Sequence, residues 1–102
     1  MTTDEWRVSF HPEVTEDLKS ISHSDVGIIL DAIDKKLKIA PTDFGKRLKN
    51  ELHPLLRLRI QSYRVVYEVD PRKRRVRILL IGIRKNVYKA AKKAATSRRS
   101  SE

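Results

Sequence analysis

The stretch between Leu56 and Tyr67 constrains the fold of this chain more than any other part of the sequence. It reads Leu-Arg-Leu-Arg-Ile-Gln-Ser-Tyr-Arg-Val-Val-Tyr, and its first half alternates apolar residues with arginine. That alternation is the period-two pattern of a strand with one buried face. A second strand begins at Tyr63, after a short turn at Gln61 and Ser62. The stretch therefore predicts an antiparallel hairpin over residues 55–61 and 63–69.

Antiparallel pairing of these two strands gathers three arginines on one side of the sheet: Arg57, Arg59 and Arg64. We call this side the arginine face. Guanidinium groups stay charged at all physiological pH values, and three of them crowded together repel one another unless an anion lies among them. The arginine face is therefore predicted to bind phosphate. The alternative is that Arg57 and Arg59 form only the solvated side of an amphipathic strand.

The first half of the chain predicts one strand and two helices. Alternation over residues 6–10 indicates a strand with Trp6, Val8 and Phe10 on one face. Two apolar stripes at helical spacing follow, one at Val14, Leu18 and Ile21 and a stronger one at Val26, Ile29, Leu30, Ile33 and Leu37. Ser24 is the expected N-cap of the second helix, which ends before Pro41.

The second half of the chain predicts three strands and a last helix. Residues 41–54 form a connector before the hairpin, with Leu48 and Leu52 anchored on the core. Residues 76–83 are mostly apolar on both faces, which is typical of an interior strand. A final helix follows, with Val87 and a series of alanines on its inner side.

The order β-α-α-β-β-β-α predicts an α+β fold. In this fold a small antiparallel β-sheet carries a helical hairpin packed on one face and a short C-terminal helix. The arginine face is expected to stay open. We expect one domain over residues 1–95 and a polar tail over residues 96–102.

The charge of the chain is +10 and is unevenly distributed. Residues 1–45 contain five Lys/Arg against nine Asp/Glu, a net charge of −4, whereas residues 46–102 contain eighteen against four, a net charge of +14. Such a basic half indicates a polyanionic partner, and nucleic acid is the commonest one for a basic domain. The alternative is a solubilising surface with no specific partner.

The composition also argues against disulfides, metal sites and membrane-spanning segments. There is no cysteine, so a disulfide framework and a thiolate zinc site are excluded. The three histidines, His11, His23 and His53, lack the spacing of metal ligands, and we expect neither a metal nor a cofactor. No apolar run is long enough to span a bilayer and no signal peptide opens the chain, so a cytoplasmic location without a membrane partner is expected.

Catalysis on RNA is the chemistry that these residues suggest. Cleavage needs a base for the ribose 2′-hydroxyl, positive charge for the developing phosphorane and an acid for the leaving 5′-oxygen. Arg84 ends the last predicted strand and Tyr88 follows on the final helix. Nearby cations favour the phenolate and lower its pKa from about 10, so Tyr88 is a candidate base. The alternative is that Tyr88 packs with its hydroxyl in water.

The remaining tyrosines and cations have less specific interpretations. Tyr67 is expected in the core, whereas Tyr63 either stacks on a base or packs. Further phosphate contacts are expected from three lysines: Lys46, Lys49 and Lys85. The first two lie on the connector and have plain surface as their alternative. The cations between Arg72 and Arg77 form a general polyanion patch rather than a site.

Four motifs together resemble a known family: Gly45-Lys46-Arg47-Leu48-Lys49, Leu56-Arg57-Leu58-Arg59, Tyr63-Arg64-Val65-Val66-Tyr67-Glu68-Val69 and Ile81-Gly82-Ile83-Arg84-Lys85-Asn86-Val87-Tyr88. They resemble the RelE/ParE toxin superfamily of type II toxin–antitoxin systems, and within it the RelE-like branch, over roughly residues 6–95. The resemblance implies a metal-independent messenger-RNA endonuclease acting in the ribosomal A site, which leaves a 2′,3′-cyclic phosphate and a 5′-hydroxyl. The implied partners are a cognate antitoxin, messenger RNA and ribosomal RNA.

The resemblance also implies a role for each matching residue. Arg57 and Arg59 match a basic pair that holds the phosphate, and Arg64 matches an arginine that stabilises the transition state. Arg84 matches a proposed general acid and Tyr88 a proposed general base. Well-known RelE enzymes carry lysines at the positions of the first two. Arginine keeps the charge but hardly exchanges protons, so Arg84 is expected to act first as a charge stabiliser.

Two other functions remain open from the sequence. The ParE branch shares the scaffold and binds DNA gyrase without nuclease activity, but its members generally lack this set of basic and tyrosine residues. The second is an RNA-binding module without catalysis. It predicts salt-sensitive binding that survives the loss of Tyr88.

Overall fold

The structure, a computed structural model, describes residues 5–83, 87 and 89–93. Its elements in chain order are β1 (Arg7–Phe10), α1 (Val14–Lys19), α2 (His23–Ala32) with a π-helical continuation (Ile33–Leu37), α3 (Pro41–Phe44), β2 (Lys46–Arg47), a 3₁₀ turn (Asn50–Leu52), β3 (Leu56–Ile60), β4 (Tyr63–Asp70) and β5 (Arg75–Ile83). Residues 87 and 89–93 are helical, and we call them the C-terminal helix. The predicted α+β class is confirmed. The predicted tail over residues 96–102 lies outside the described residues.

The five strands form one sheet in the order β1-β5-β4-β3-β2. Strands β3, β4 and β5 pair antiparallel, as the sequence predicted, and β5 lies in the interior. β2 adds a further antiparallel pairing with β3. In contrast, β1 joins β5 in parallel, with Arg7 opposite Arg75. The chain order of elements does not reveal which strand a distant first strand will join. The two-residue strand β2, assigned to the connector from sequence, is too short to show a period.

Helices α1 and α2 cover one face of the sheet, and a hydrophobic core lies between the two layers. Its buried members are Val14, Ile29, Ile33, Leu37, Leu56, Leu58, Ile60, Val65, Tyr67, Val76, Ile78 and Ile81. The apolar periodicities therefore located this layer correctly. Three residues predicted to face this layer are not part of it: Phe10 and Leu30 remain exposed, and Val26 is half-buried outside the cluster.

The ends of the helices differ from the predicted ones. Ser22, and not Ser24, is the N-cap of α2, and its hydroxyl oxygen accepts a hydrogen bond from the Asp25 amide at 3.3 Å. Ser24 lies inside the first turn. Pro41 follows the end of the second helix but also opens α3, because a first-turn residue has no helical acceptor for the N–H that proline lacks.

The arginine face is not open over its whole area, which corrects the expectation from sequence. A second hydrophobic cluster lies on it: Leu48, Leu55, Val66, Leu79, Leu80, Val87 and Ala91. Leu48 comes from the connector, Leu55 follows directly after it, and the last two come from the C-terminal helix. A β-bulge between Val66 and Tyr67 shifts the register with β5, so both Leu79 and Leu80 join this cluster. The segment before β3 and the C-terminal helix bury the side chains of Leu79 and Leu80.

The connector is fastened to the helix-covered face by Tyr67. Its ring is fully buried and its hydroxyl donates a hydrogen bond to the carbonyl oxygen of Pro41 at 2.5 Å. A side chain at Gly45 would overlap that hydroxyl and lie 2.7 Å from the ring carbon Cζ. Glycine is therefore required at position 45 by close approach, although its φ of −87° suits any residue. This contact fixes the start of β2 against the sheet.

Candidate nucleic-acid interface

The strand register brings the predicted cations of the arginine face together. Arg59 lies directly opposite Arg64 on the neighbouring strand, and Lys46 lies opposite Arg57. Side chains two residues apart on a strand share a face, so all four belong to the same side of the sheet. The predicted grouping of Arg57, Arg59 and Arg64 is therefore found, and β2 adds Lys46. Lys49 lies beyond β2 and outside this ladder.

Exposure divides these cations into two kinds. The side chains of Lys46, Lys49 and Arg59 are exposed and that of Arg57 is half-buried, whereas Arg64 keeps only 4% of its surface exposed. Within the described part of the chain, no carboxylate forms an ion pair with Lys46, Arg57 or Arg59. Their charges are therefore available to an anion from solution.

Arg64 has a structural role that the sequence did not show. Its Nη1 donates to the carbonyl oxygens of Gln61 at 3.1 Å and of Tyr63 at 2.9 Å. Gln61 has a φ of 55°, the left-handed conformation that favours glycine. The guanidinium thus clamps the β3–β4 turn. Its charge remains at the face, but one of its nitrogens is committed to the backbone.

The two tyrosines of β4 belong to the other face of the sheet. The Tyr63 hydroxyl donates to Asp25 Oδ2 at 2.6 Å, and this hydrogen bond raises the pKa of Tyr63, with burial adding to it. Packing, rather than a base-stacking surface, therefore describes Tyr63. Burial raises the pKa of Tyr67 well above its ordinary value, against the opposing charge of Arg47. Tyr67 is in the core, as predicted.

Three predicted site residues, Arg84, Lys85 and Tyr88, lie outside the described residues. What the structure describes is the strand that precedes them. β5 ends at Ile83, which lies opposite Tyr63, and Gly82 lies opposite Arg64. The assigned acid, base and lysine contacts therefore remain predictions.

The arrangement of strands and cations is matched by a known protein family. The family model described as the ParE toxin of the type II toxin–antitoxin system parDE matches residues 8–88, which includes all of the sheet except Arg7. The chain belongs to this toxin family. The predicted membership of the RelE/ParE superfamily is thereby confirmed. No curated protein sequence matches the toxin.

Solved structures show the same fold. The toxin–antitoxin complex RelBE2 of Mycobacterium tuberculosis has a chain that is 24% identical to the toxin, with a TM-score of 0.75 over 81% of this chain and 95% of that one. The RelE–RelB complex of Pyrococcus horikoshii gives 26% identity and a TM-score of 0.64, over 78% and 96%. A variant of Escherichia coli RelE in the free state gives 14% and 0.57, over 94% and 96%. The toxin fold is RelE-like.

The exposed side chains of the arginine face present positive charge and hydrogen-bond donors. Across the described ranges, no three His, Asp or Glu side chains converge in a way that could hold a metal ion. In the same ranges no helix has the length and apolar character needed to cross a bilayer. The predicted phosphate contact Lys46 was assigned to the connector, and the structure gives it a ladder position on β2. Asp25, as the partner of Tyr63, is the residue that sequence reasoning missed, and no motif indicated it.

Proposed function

We propose that this toxin is a ribosome-dependent messenger-RNA endonuclease that inhibits translation by cleaving RNA without a metal. The observation that carries the proposal is the pairing of Arg59 with Arg64, beside Arg57 and Lys46, on one side of the sheet. Like charges placed directly opposite each other on neighbouring strands are destabilising. A phosphate held by the exposed Arg59, beside Arg57 and Lys46, offsets that repulsion.

In the proposed reaction, the exposed cations hold the phosphodiester while the ribose 2′-hydroxyl attacks it. Tyr88, as its phenolate, takes the proton of that hydroxyl, the phosphorus–5′-oxygen bond breaks, and the leaving 5′-oxygen takes a proton from solvent water to become a hydroxyl. The products are a 2′,3′-cyclic phosphate and a 5′-hydroxyl. Arg64 and Arg84 stabilise the extra negative charge of the transition state. Arg64 contributes mainly through its potential, because its Nη1 is held by the turn.

The proposal is tested in a translating ribosome system, with messenger ends mapped by primer extension. We expect new messenger 5′-ends with the wild-type toxin and at least tenfold slower cleavage with Arg59→Ala. Arg47→Ala is the matched control, because Arg47 is an exposed arginine next to Lys46 that faces the other side of the sheet. Equal loss in both variants, or no cleavage by the wild type, would contradict the proposal.

Gyrase inhibition is the second candidate, and the match to the ParE family model favours it. A supercoiling assay with purified gyrase separates the two functions. Under the leading proposal, the toxin leaves supercoiling unchanged at concentrations that arrest translation. Inhibition of supercoiling without messenger cleavage would assign the toxin to the second function.

A cognate antitoxin is the proposed protein partner. Two of the solved relatives are complexes of a RelE-type chain with an antitoxin, and the matching family belongs to a toxin–antitoxin system. The +14 charge of residues 46–102 would steer an acidic antitoxin segment to the arginine face. Co-purification of the toxin with the product of an adjacent gene tests this proposal.

A further inference from the structure

A second group of cations lies at the other end of the sheet from the Arg59–Arg64 pair. We call it the basic corner and define it as Arg7 of β1 with Arg72, Lys73, Arg75 and Arg77 of the β4–β5 hairpin. Arg64 and Asp70 are six residues apart on β4, which is about 20 Å of extended strand. The basic corner is therefore separate from the proposed cleavage site.

The strand register places the charges of the basic corner close together. Val8 and Val76 are opposite each other and belong to the helix-covered core. The alternation of side chains therefore puts their neighbours Arg7, Arg75 and Arg77 on the other side of the sheet. Arg7 lies directly opposite Arg75, and like charges directly opposite each other on neighbouring strands are destabilising.

The hairpin turn is held in one shape by contacts that leave its cations exposed. Asp70 Oδ1 accepts hydrogen bonds from the amides of Arg72 and Lys73, at 3.1 and 3.3 Å. Arg74 has a φ of 48°, and its guanidinium lies 4.7 Å from the centre of the Trp6 ring. These contacts preorganise the turn, which lowers the entropy cost of binding a ligand.

Cations outnumber carboxylates in the basic corner. Only Glu68 and Asp70 accompany its five cations on the described strands and turn, so the net charge stays at +3. Glu68 lies 3.8 Å from Arg77, and the carboxylate of Asp70 faces the turn amides. A cavity of about 330 Å³ has room for a hydrated phosphate, and its lining combines Arg72, Lys73, Arg75 and Arg77 with Glu68 and Asp70.

The surroundings of the basic corner fit a nucleic acid better than a protein. Protein interfaces need large apolar side chains at their centre, and nucleic-acid interfaces are polar and positively charged. The exposed large apolar residues of the described chain are Phe10, Ile28, Leu30, Ile39, Phe44 and Ile83. None of them belongs to the β4–β5 turn or lines its cavity.

We infer that the basic corner is a second RNA-binding surface, which holds backbone phosphates at a distance from the proposed cleavage site. Four of its five cations are arginines, whose planar guanidinium groups match phosphate oxygens in a bidentate manner. The surface contributes affinity without base specificity. It does not depend on the proposed function, because an RNA backbone is bound there whether or not it is cleaved.

The test measures binding of a fluorescein-labelled RNA hairpin with 2′-O-methyl riboses, which cannot be cleaved by 2′-hydroxyl attack. The test variant is Arg72→Ala with Lys73→Ala, because both side chains are exposed. Lys19→Ala with Lys35→Ala is the control, since it removes the same charge from the helix layer. At 100 mM KCl we expect the test variant to raise the Kd about fivefold and the control less than twofold.

The salt dependence gives the second readout. Losing two phosphate contacts should make the slope of log K against log salt concentration shallower by about 1.4 to 1.8. The same loss of affinity in the control variant, or an unchanged slope, would overturn the inference. Weakened binding of purified antitoxin with unchanged RNA binding would assign the surface to a protein instead. Cleavage in the ribosome assay does not enter either measurement, so the proposed function fails or stands separately.

Discussion

At the scale of single residues, the contact between Gly45 and Tyr67 shows how closely the connector fits the sheet. The Tyr67 hydroxyl occupies the space that a side chain at position 45 would need, and it satisfies the carbonyl oxygen of Pro41. A buried polar group without a hydrogen bond costs about 1–3 kcal/mol. The position of β2, and with it Lys46 on the arginine face, depends on this contact.

Gly45→Ala is expected to lower the free energy of unfolding by at least about 3 kcal/mol, since the new methyl group overlaps the Tyr67 hydroxyl and must displace it. Tyr67→Phe in the same chain should restore only part of the loss, because the ring carbon Cζ remains too close. Urea denaturation measures both effects. Gly27→Ala is the control, since its added carbon meets nothing within 4 Å and alanine favours a helix by about 1 kcal/mol.

Stability should fall at alkaline pH because of the raised pKa of Tyr67. The folded protein holds the phenolic proton more tightly than the unfolded chain, whose tyrosine titrates near pH 10. The contribution is therefore complete below about pH 10 and is lost as the pH rises further. Above about pH 11, where the unfolded tyrosine is almost fully ionised, the wild type should lose about 1.4 kcal/mol per pH unit more than Tyr67→Phe. Parallel pH profiles of the two proteins would contradict this assignment.

At the scale of secondary structure, one hydrogen bond joins the helical layer to the strand that carries Arg64. Asp25, in the first turn of α2, accepts from the hydroxyl of Tyr63, the first residue of β4. The carbonyl oxygen of Tyr63 in turn accepts from Arg64. The amino end of α2 and the β3–β4 turn are therefore connected through two adjacent side chains.

Tyr63→Phe should lower the free energy of unfolding by about 1–2 kcal/mol, because it removes a hydrogen bond that the Tyr63 hydroxyl donates to the charged carboxylate of Asp25. Asp25→Asn should have a smaller effect, since its amide keeps an oxygen that can accept. A double-mutant cycle is expected to give a coupling energy of about 0.5–1.5 kcal/mol. Strictly additive effects would show that the two side chains do not act together.

The elements that the sequence predicted correctly are those with a regular period. β3, β4 and β5 alternate or run apolar over five residues or more, and their antiparallel pairing follows from short turns. The sequence did not predict β2, because a strand of two residues shows no period. It did not predict the parallel pairing of β1 either, because that pairing depends on packing between distant segments. The N-cap was misplaced because Ser22 and Ser24 are equally good caps by composition.

For the candidate site, the sequence predicted which cations share a face but not how exposed they are. Alternation along β3 was enough to group Arg57 with Arg59. The burial of Arg64 follows from the turn carbonyls that it binds, and a tertiary contact of this kind leaves no pattern in the sequence. Leu79 and Leu80 are adjacent apolar residues, and this pairing was the available sign that the arginine face is partly covered.

At the scale of the whole molecule, the sheet separates two hydrophobic clusters. The larger one lies under α1 and α2, and the smaller one lies under the connector and the C-terminal helix. Ala91 and Val87 bring that helix onto Leu79, Leu80 and Val66. Because alanine buries little apolar area, the C-terminal helix is held less strongly than α2.

Ala91→Glu should release the C-terminal helix while the rest of the fold persists, since a buried, unpaired carboxylate costs several kcal/mol. Hydrogen exchange measured by mass spectrometry should show faster exchange over residues 87–93 and unchanged protection of β4. Lys93→Glu is the control, because Lys93 is exposed on the same helix. Cooperative unfolding of the entire chain would show that the two clusters are not separable.

The parallel pairing of β1 with β5 also has a consequence for synthesis. Arg7 and Arg75 are sixty-eight positions apart. At a translation rate of 5–20 residues per second, Arg75 is therefore added about 3 to 14 seconds after Arg7. A nascent chain that stops within that interval has no strand on which β1 can form its ladder. The complete sheet, and any activity that depends on it, can therefore form only after β5 has been translated.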